Sequence, residues 1–252
     1  MRPILSQMHE HFLVLGKAAS SFTQQETKMA GRLAGKRAIV TDCNEYAGAD
    51  IVKLFREEDG DVFAVDRDLT IPRAADDLIR EVGNVDILIA NFAYPHKYAP
   101  AHKKSDEDME YALQRLFYPL HRLTRAVLPQ MLERKRGKIV VVGSADSLRG
   151  RSGGVALYGG ARAAQHGYMR HVAMEVAPHV NVNATAQSYV ENPTYFPKAY
   201  QETEAFRQRL AECPAGRLAT GRECAQTVLF LAGPESDFFY GQVIPFAGGW
   251  TV

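Results

Sequence analysis

The 252-residue chain is poor in cysteine, with three, has a single tryptophan, and carries almost no net charge, +1 from 30 basic and 29 acidic residues. Cys43, Cys213 and Cys224 are odd in number, widely spaced and form no C-x-x-C pair, which argues against a disulfide framework and against a zinc site. A reducing cytoplasm is therefore the expected location. The charge balance offers no basic face for nucleic acid or for an anionic membrane. No apolar run approaches the length of a membrane span, and the stretch from His11 to Leu15 is too short and too poorly flanked for a signal peptide. The eight histidines show no H-x-x-x-H spacing, so no metal is expected.

What remains is an ordinary globular composition, 46% hydrophobic and 23% charged, without visible internal repeats. Residues 1–30 are mixed and aperiodic and read as an extension, flexible or loosely docked, ahead of a single domain over 31–252. From Lys36 onward short β-branched runs alternate with longer amphipathic stretches, the rhythm of βαβ units in an α/β parallel sheet covered by helices on both faces. Strands are predicted over Arg37 to Thr41, Asp61 to Val65, Val85 to Ala90, Lys138 to Gly143, Val180 to Ala186 and Gln242 to Phe246. In such a sheet the functional site belongs at the carboxyl ends of the strands.

The first strand ends at Thr41 and the next helix begins near Gly48, so residues 41–48 occupy the place of a phosphate-binding turn. A dinucleotide needs glycines there, for tight turning and for close approach of backbone N–H groups to the pyrophosphate. Only Gly48 is present. Asp42 adds a negative charge and Tyr46 a bulky ring, and both oppose NAD(P). Asp66, at the end of the second strand, lies where an acid would hold a ribose, but with the turn blocked it reads as a helix cap or a surface charge.

Ser144 follows the fourth strand, and Tyr158 and Arg162 share one face of a helix predicted to run to about Ala177. A guanidinium one turn from a phenol favours the phenolate. The pair could then remove a proton from a substrate hydroxyl that Ser144 holds by a hydrogen bond.

From Gly31 to Val252 these features resemble the short-chain dehydrogenase/reductase superfamily: Thr41 with Gly48, Asn91 after Ile87 to Ala90, Ser144, Tyr158, Gly216 to Ala219 and the ending Gly241 to Gly249. Within it the chain resembles the halohydrin (haloalcohol) dehalogenases, in which Arg162 stands where other members have Lys and Tyr46 is the aromatic residue replacing the glycine turn. The resemblance implies a Rossmann-like, doubly wound parallel sheet and a homotetramer paired through the 106–132 and Tyr158 helices. It implies a lyase that converts vicinal haloalcohols to epoxides with halide release, and opens epoxides in reverse, without a cofactor. Tyr158 would be the base, Arg162 its cation and Ser144 the oxygen anchor. The halide or other small anion would rest by Tyr46, Gln187, Ser188, Tyr189, Val190 and Phe196, with Tyr195 as an alternative wall and the amides of Ser188 and Tyr189 as donors. The Ser144 to Tyr158 interval is one residue longer than is common, which a loop insertion over 150–154 would absorb. Two alternatives stand beside this reading: an NAD(P)-dependent oxidoreductase of the parent superfamily and a non-catalytic relative. His96, Lys97 and His102 to Lys104 read as a solvated basic loop that could border the substrate mouth. Trp250 either reaches a neighbouring subunit's site or packs within its own chain.

Overall fold

In a computed structural model, which describes residues 30–252, six strands form one parallel sheet in the order β2-β1-β3-β4-β5-β6. The strands are β1 (Arg37–Val40), β2 (Asp61–Ala64), β3 (Ile87–Asn91), β4 (Lys138–Ser144), β5 (Asn181–Gln187) and β6 (Val243–Phe246). Seven α-helices lie between them among the described residues: α1 (Gly48–Glu57), α2 (Ala74–Val82), α3 (Asp106–Glu133), α4 (Ala156–Val176), α5 (Lys198–Gln201), α6 (Glu204–Leu210) and α7 (Gly221–Ala232). The extension expected over residues 1–30 falls, apart from Ala30, outside the described residues.

The period of two in the central strands explains the layering. Ala38, Val40, Ile87, Ile89, Val140 and Val142 face α1 and α7, whereas Ile39, Leu88, Ile139, Val141, Val182 and Ala184 face α2, α3 and α4. Strands buried on both faces read as unbroken apolar runs, and each large aliphatic side chain so buried contributes about 1.5–3 kcal/mol.

Local signals set the helix starts. Ser105 caps α3 with a reciprocal bond to Asp108, and Thr220 caps α7 with Glu223 in the same way. The expected strands are all present. The third begins two residues later than predicted, because Val85 spends its N–H on the Gln130 side chain rather than on the sheet. The fourth and fifth each run one residue further, and their last residues, Ser144 and Gln187, pair with each other in the ladder. The order in which strands are added along the sheet switches sides between β1 and β3, so the crevice at their carboxyl ends is where the fold offers a site.

Candidate active site

Ser144 ends β4 and is buried, its Oγ accepting the Asp146 amide at 3.2 Å. Tyr158 lies in the first turn of α4 and Arg162 one turn later, both buried. The Arg162 guanidinium is held from three sides: Nη1 donates to the Val142 carbonyl and to Gln165 Oε1, each at 3.1 Å, and Nη2 to the Phe92 carbonyl at 2.6 Å. Its carbon lies 5.2 Å from the centre of the Tyr158 ring and 5.1 Å from that of Tyr46. Burial alone would pull its pKa down. The phenols of Tyr158, Tyr46 and Tyr195 outweigh that and move it upward, so Arg162 is a permanent, immobile cation among tyrosines.

The turn after β1 is closed on itself. Tyr46 adopts a left-handed backbone (φ 52°), its ring is buried, and its hydroxyl donates to the Gly143 carbonyl at 2.7 Å. Burial raises the Tyr46 pKa far above the usual phenol range, which keeps this proton in place. Amides that a pyrophosphate would need are already engaged: Cys43 to Val65 O, Glu45 to Asp42 O, Tyr46 to Thr194 Oγ1, Ala47 to Asn91 Oδ1 and Gly48 to Glu45 O. Asn91 Nδ2 staples the turn by donating to the carbonyls of Thr41, Asp42 and Glu45. Asp42 points its carboxylate at the Ala93 amide, 2.8 Å away, and burial raises its pKa. A Cβ on Gly48 would meet the Asp42 carbonyl at 2.3 Å, so this glycine serves the turn itself. These residues do not fit a dinucleotide pyrophosphate. Asp66 is not a helix cap; it accepts a 2.7 Å bond from Asn44 across the mouth of the turn.

A cavity of about 30 Å³ lies between this turn and Ser144 with Tyr158, of the order of one water molecule. Ser144 and Tyr158 line it together with Tyr46, Gln187, Ser188, Tyr189, Val190 and Phe196, all of them singled out in the sequence. One expectation is corrected: the Ser188 amide is not available to an anion, because β6 takes it, through the Phe246 carbonyl at 3.0 Å. The Gln187 side chain has a buried Nε2 without a partner among the described residues, while its oxygen accepts the Cys224 thiol. Tyr189 has a left-handed backbone (φ 54°), which is costly for a residue with a side chain and is held here by the surrounding packing.

The His96 loop, expected as a solvated face that could border the site, does border the cavity through His96, whereas Arg151 and Arg209 were not anticipated. His96 is not on a solvated face; its ring is 4.4 Å from that of Tyr158 and 5.0 Å from that of Tyr195. Burial, reinforced by Arg151, Arg162 and Arg209, pushes its pKa down to about 3, so it faces the site as a neutral imidazole. Arg151 and Arg209 also line the cavity. They come from loop 148–155 and from α6, and only the loop count between Ser144 and Tyr158 hinted at the first. Trp250 is buried within its own chain, against Tyr189 and under Arg149. A larger cavity, about 420 Å³, opens at the amino ends of the strands by Lys36, Asp86 and Lys138, away from this chemistry.

Residues 27–251 match the family model described as Enoyl-(Acyl carrier protein) reductase. The chain is a short-chain dehydrogenase/reductase. Among curated members of the superfamily it is 33% identical over 223 residues to the 3-oxoacyl-acyl-carrier-protein reductase FabG of Vibrio cholerae, covering 85% of this chain and 87% of that protein. Among solved members, one described as "Dehalogenation enzyme" is 33% identical with a TM-score of 0.78, covering 86% of this chain and 99% of that one. A gluconate 5-dehydrogenase from Burkholderia cenocepacia, solved with NADP and tartrate, is 25% identical with a TM-score of 0.78, covering 87% of this chain and 96% of that one.

Proposed function

We propose that this short-chain dehydrogenase/reductase is a cofactor-independent halohydrin dehalogenase. The observation that carries the reading is the self-closed turn around Tyr46: the amides that a nucleotide would need are spent and a phenol fills the space. The similarity to a protein described as a dehalogenation enzyme supports it.

In this reading Tyr158, one helical turn from the fixed Arg162 charge, takes the proton of a substrate hydroxyl whose oxygen is held by Ser144. The alkoxide forms the new C–O bond of the epoxide as the neighbouring carbon–halogen bond breaks, and the halide departs with the bonding pair. The proton passes from Tyr158 to solvent, so the products are epoxide, halide and one proton. Halide would rest beside Gln187 Nε2 and the amides of Tyr189 and Val190, a weakly polar pocket suited to a poorly hydrated anion. The reverse reaction protonates the epoxide oxygen from Tyr158 as a small anion attacks. A homotetramer formed through α3 and α4, and a short extension ahead of residue 31, belong to the same reading; sedimentation of the full chain checks the first.

Bromide release from a small vicinal bromohydrin, with no nucleotide added, tests the proposal. Wild type releases bromide, and Tyr158→Phe and Arg162→Ala reduce the rate at least about 100-fold, the usual worth of a positioned proton acceptor. Near-native turnover in both variants would sink the mechanism. The reductases among the relatives favour a second reading, an NAD(P)H-dependent reductase. It requires saturable NADPH binding and nucleotide oxidation with a 3-oxoacyl thioester, and a flat titration excludes it.

A further inference from the structure

The catalytic cavity does not end at the halide pocket. It adjoins a second cavity of about 290 Å³, with which it shares Arg151, Ser188, Tyr189 and Arg209, and which Arg149 and Trp250 close on the far side. Three guanidinium groups and two carboxylates, Asp146 and Glu212, face this continuous space, an excess of one positive charge.

The two carboxylates do not saturate the arginines. Asp146 takes Arg151 Nε, at 2.9 Å, while Arg151 Nη2 is buried and has no partner among the described residues. Glu212 accepts the Trp250 indole N–H at 3.4 Å. The Arg209 guanidinium makes no ion pair among the described residues; it lies over the Phe196 ring at 4.8 Å and 6.0 Å from the centre of Tyr189. Arg149 is engaged with the Trp250 ring and its carbonyl. A buried guanidinium nitrogen without a partner and an arginine lying over an aromatic ring, both lining the cavities, are the parts of a clamp for a carboxylate. The Asp146 ion pair engages Arg151 through Nε alone, and no carboxylate among the described residues pairs with Arg209, so a substrate carboxylate would complete the bonding of both.

We infer that the substrate bears a carboxylate, seated between Arg151 and Arg209, on the carbon chain that presents its hydroxyl to Ser144 and Tyr158. The natural substrate class is thus halohydroxy acids and the corresponding epoxy acids. This rests on the dehalogenase reading for the chemistry but not for the binding. The same positive field reaches the catalytic residues, and it is the second cause, after burial, of the neutral state of His96.

The test uses the chain's own reporter, because its sole tryptophan, Trp250, lines the second cavity. The probes are 3-hydroxybutanoate and its neutral counterpart 3-hydroxybutanamide, titrated into the full-length protein with Trp250 fluorescence followed. The acid is expected to bind at least tenfold more tightly than the amide. Arg209→Met should abolish that preference, and Arg151→Met should do so as well. Arg209→Met keeps the test valid if loss of the Asp146 pair unfolds the Arg151 variant, and Arg209→Lys should recover part of the preference. Equal affinities in wild type, or a preference for the acid that survives Arg209→Met in folded protein, overturn the inference. Chloride release from 4-chloro-3-hydroxybutanoate and its amide separates the two readings. If both release chloride at similar rates, the dehalogenase survives and the carboxylate site does not; if acid binds selectively yet neither releases chloride, the site survives and the dehalogenase does not.

Discussion

The Tyr46 hydroxyl donates to the Gly143 carbonyl at 2.7 Å, tying the turn after the first strand to the end of the fourth, 97 residues away. That bond, with the Arg162 guanidinium 5.1 Å from the same ring, makes Tyr46 a structural wedge between the turn after β1 and the end of β4. Removing the hydroxyl alone leaves the wedge in place but strands a buried acceptor. Tyr46→Phe should therefore lower stability by about 1–2 kcal/mol in urea denaturation. Tyr46→Ala, which empties the space, should cost about 3–5 kcal/mol. Neither variant should gain NADPH affinity in a fluorescence titration, since the amides of Cys43, Glu45 and Gly48 remain bonded within the protein.

Gly143 meets the same region from below. A Cβ there would stand 2.0 Å from His166 Nε2 and 2.6 Å from the Thr185 carbonyl. Gly143→Ala should lose about 3 kcal/mol or more, the upper range for overpacking a close-packed interior. Shrinking the neighbour, in the Gly143→Ala/His166→Ala double variant, should recover part of the loss over the sum of the single effects, because the two residues share one volume. Strict additivity in thermal or urea unfolding would show that the His166 contact does not limit this position.

His166 also gives the fold a dependence on pH. Burial, helped by Arg162 and Arg170, pushes its pKa down to about 4 from an ordinary 6.5, and its Nδ1 is 2.7 Å from the Ser147 hydroxyl. Above pH 6.5 the ring is neutral both folded and unfolded and does not affect the balance. Between 6.5 and 4 the unfolded chain binds a proton that the folded chain refuses, so stability falls as the pH is lowered, by about 3 kcal/mol for this residue. His96, held down to about 3, acts in the same direction. Melting temperature should drop between pH 7 and pH 4.5, and His166→Gln should flatten that drop. A melting temperature that rises on acidification would contradict the assignment.

Much of the architecture was written in local sequence. The β-branched runs at 37–41, 85–90 and 138–143 announce strands buried on both faces, since a strand covered twice can carry no polar side. Ser144, Tyr158 and Arg162 were legible for a related reason: strand end and helix period fix where each side chain emerges, and a spacing of four puts Tyr158 and Arg162 on one face before any tertiary contact forms. The lack of glycine between Thr41 and Gly48 likewise spoke for itself, because backbone approach to a phosphate is a local steric matter.

The rest was decided only when distant segments met. His96, Arg151 and Arg209 lie on three loops or short helices with no pattern in common, and they converge because β3, β4 and β5 end side by side. Thr194 receives the Tyr46 amide from 148 residues away, and Asp66 finds Asn44 rather than a helix to cap. Ser188 lost its amide to β6, a partner set by sheet register alone. Periodicity reports which face a residue turns outward from its own element; it carries no information about what another element brings to that face. Fold class and the placing of Ser144, Tyr158 and Arg162 thus belong to the chain as a string, whereas the charge and the dimensions of the candidate site belong to the folded molecule.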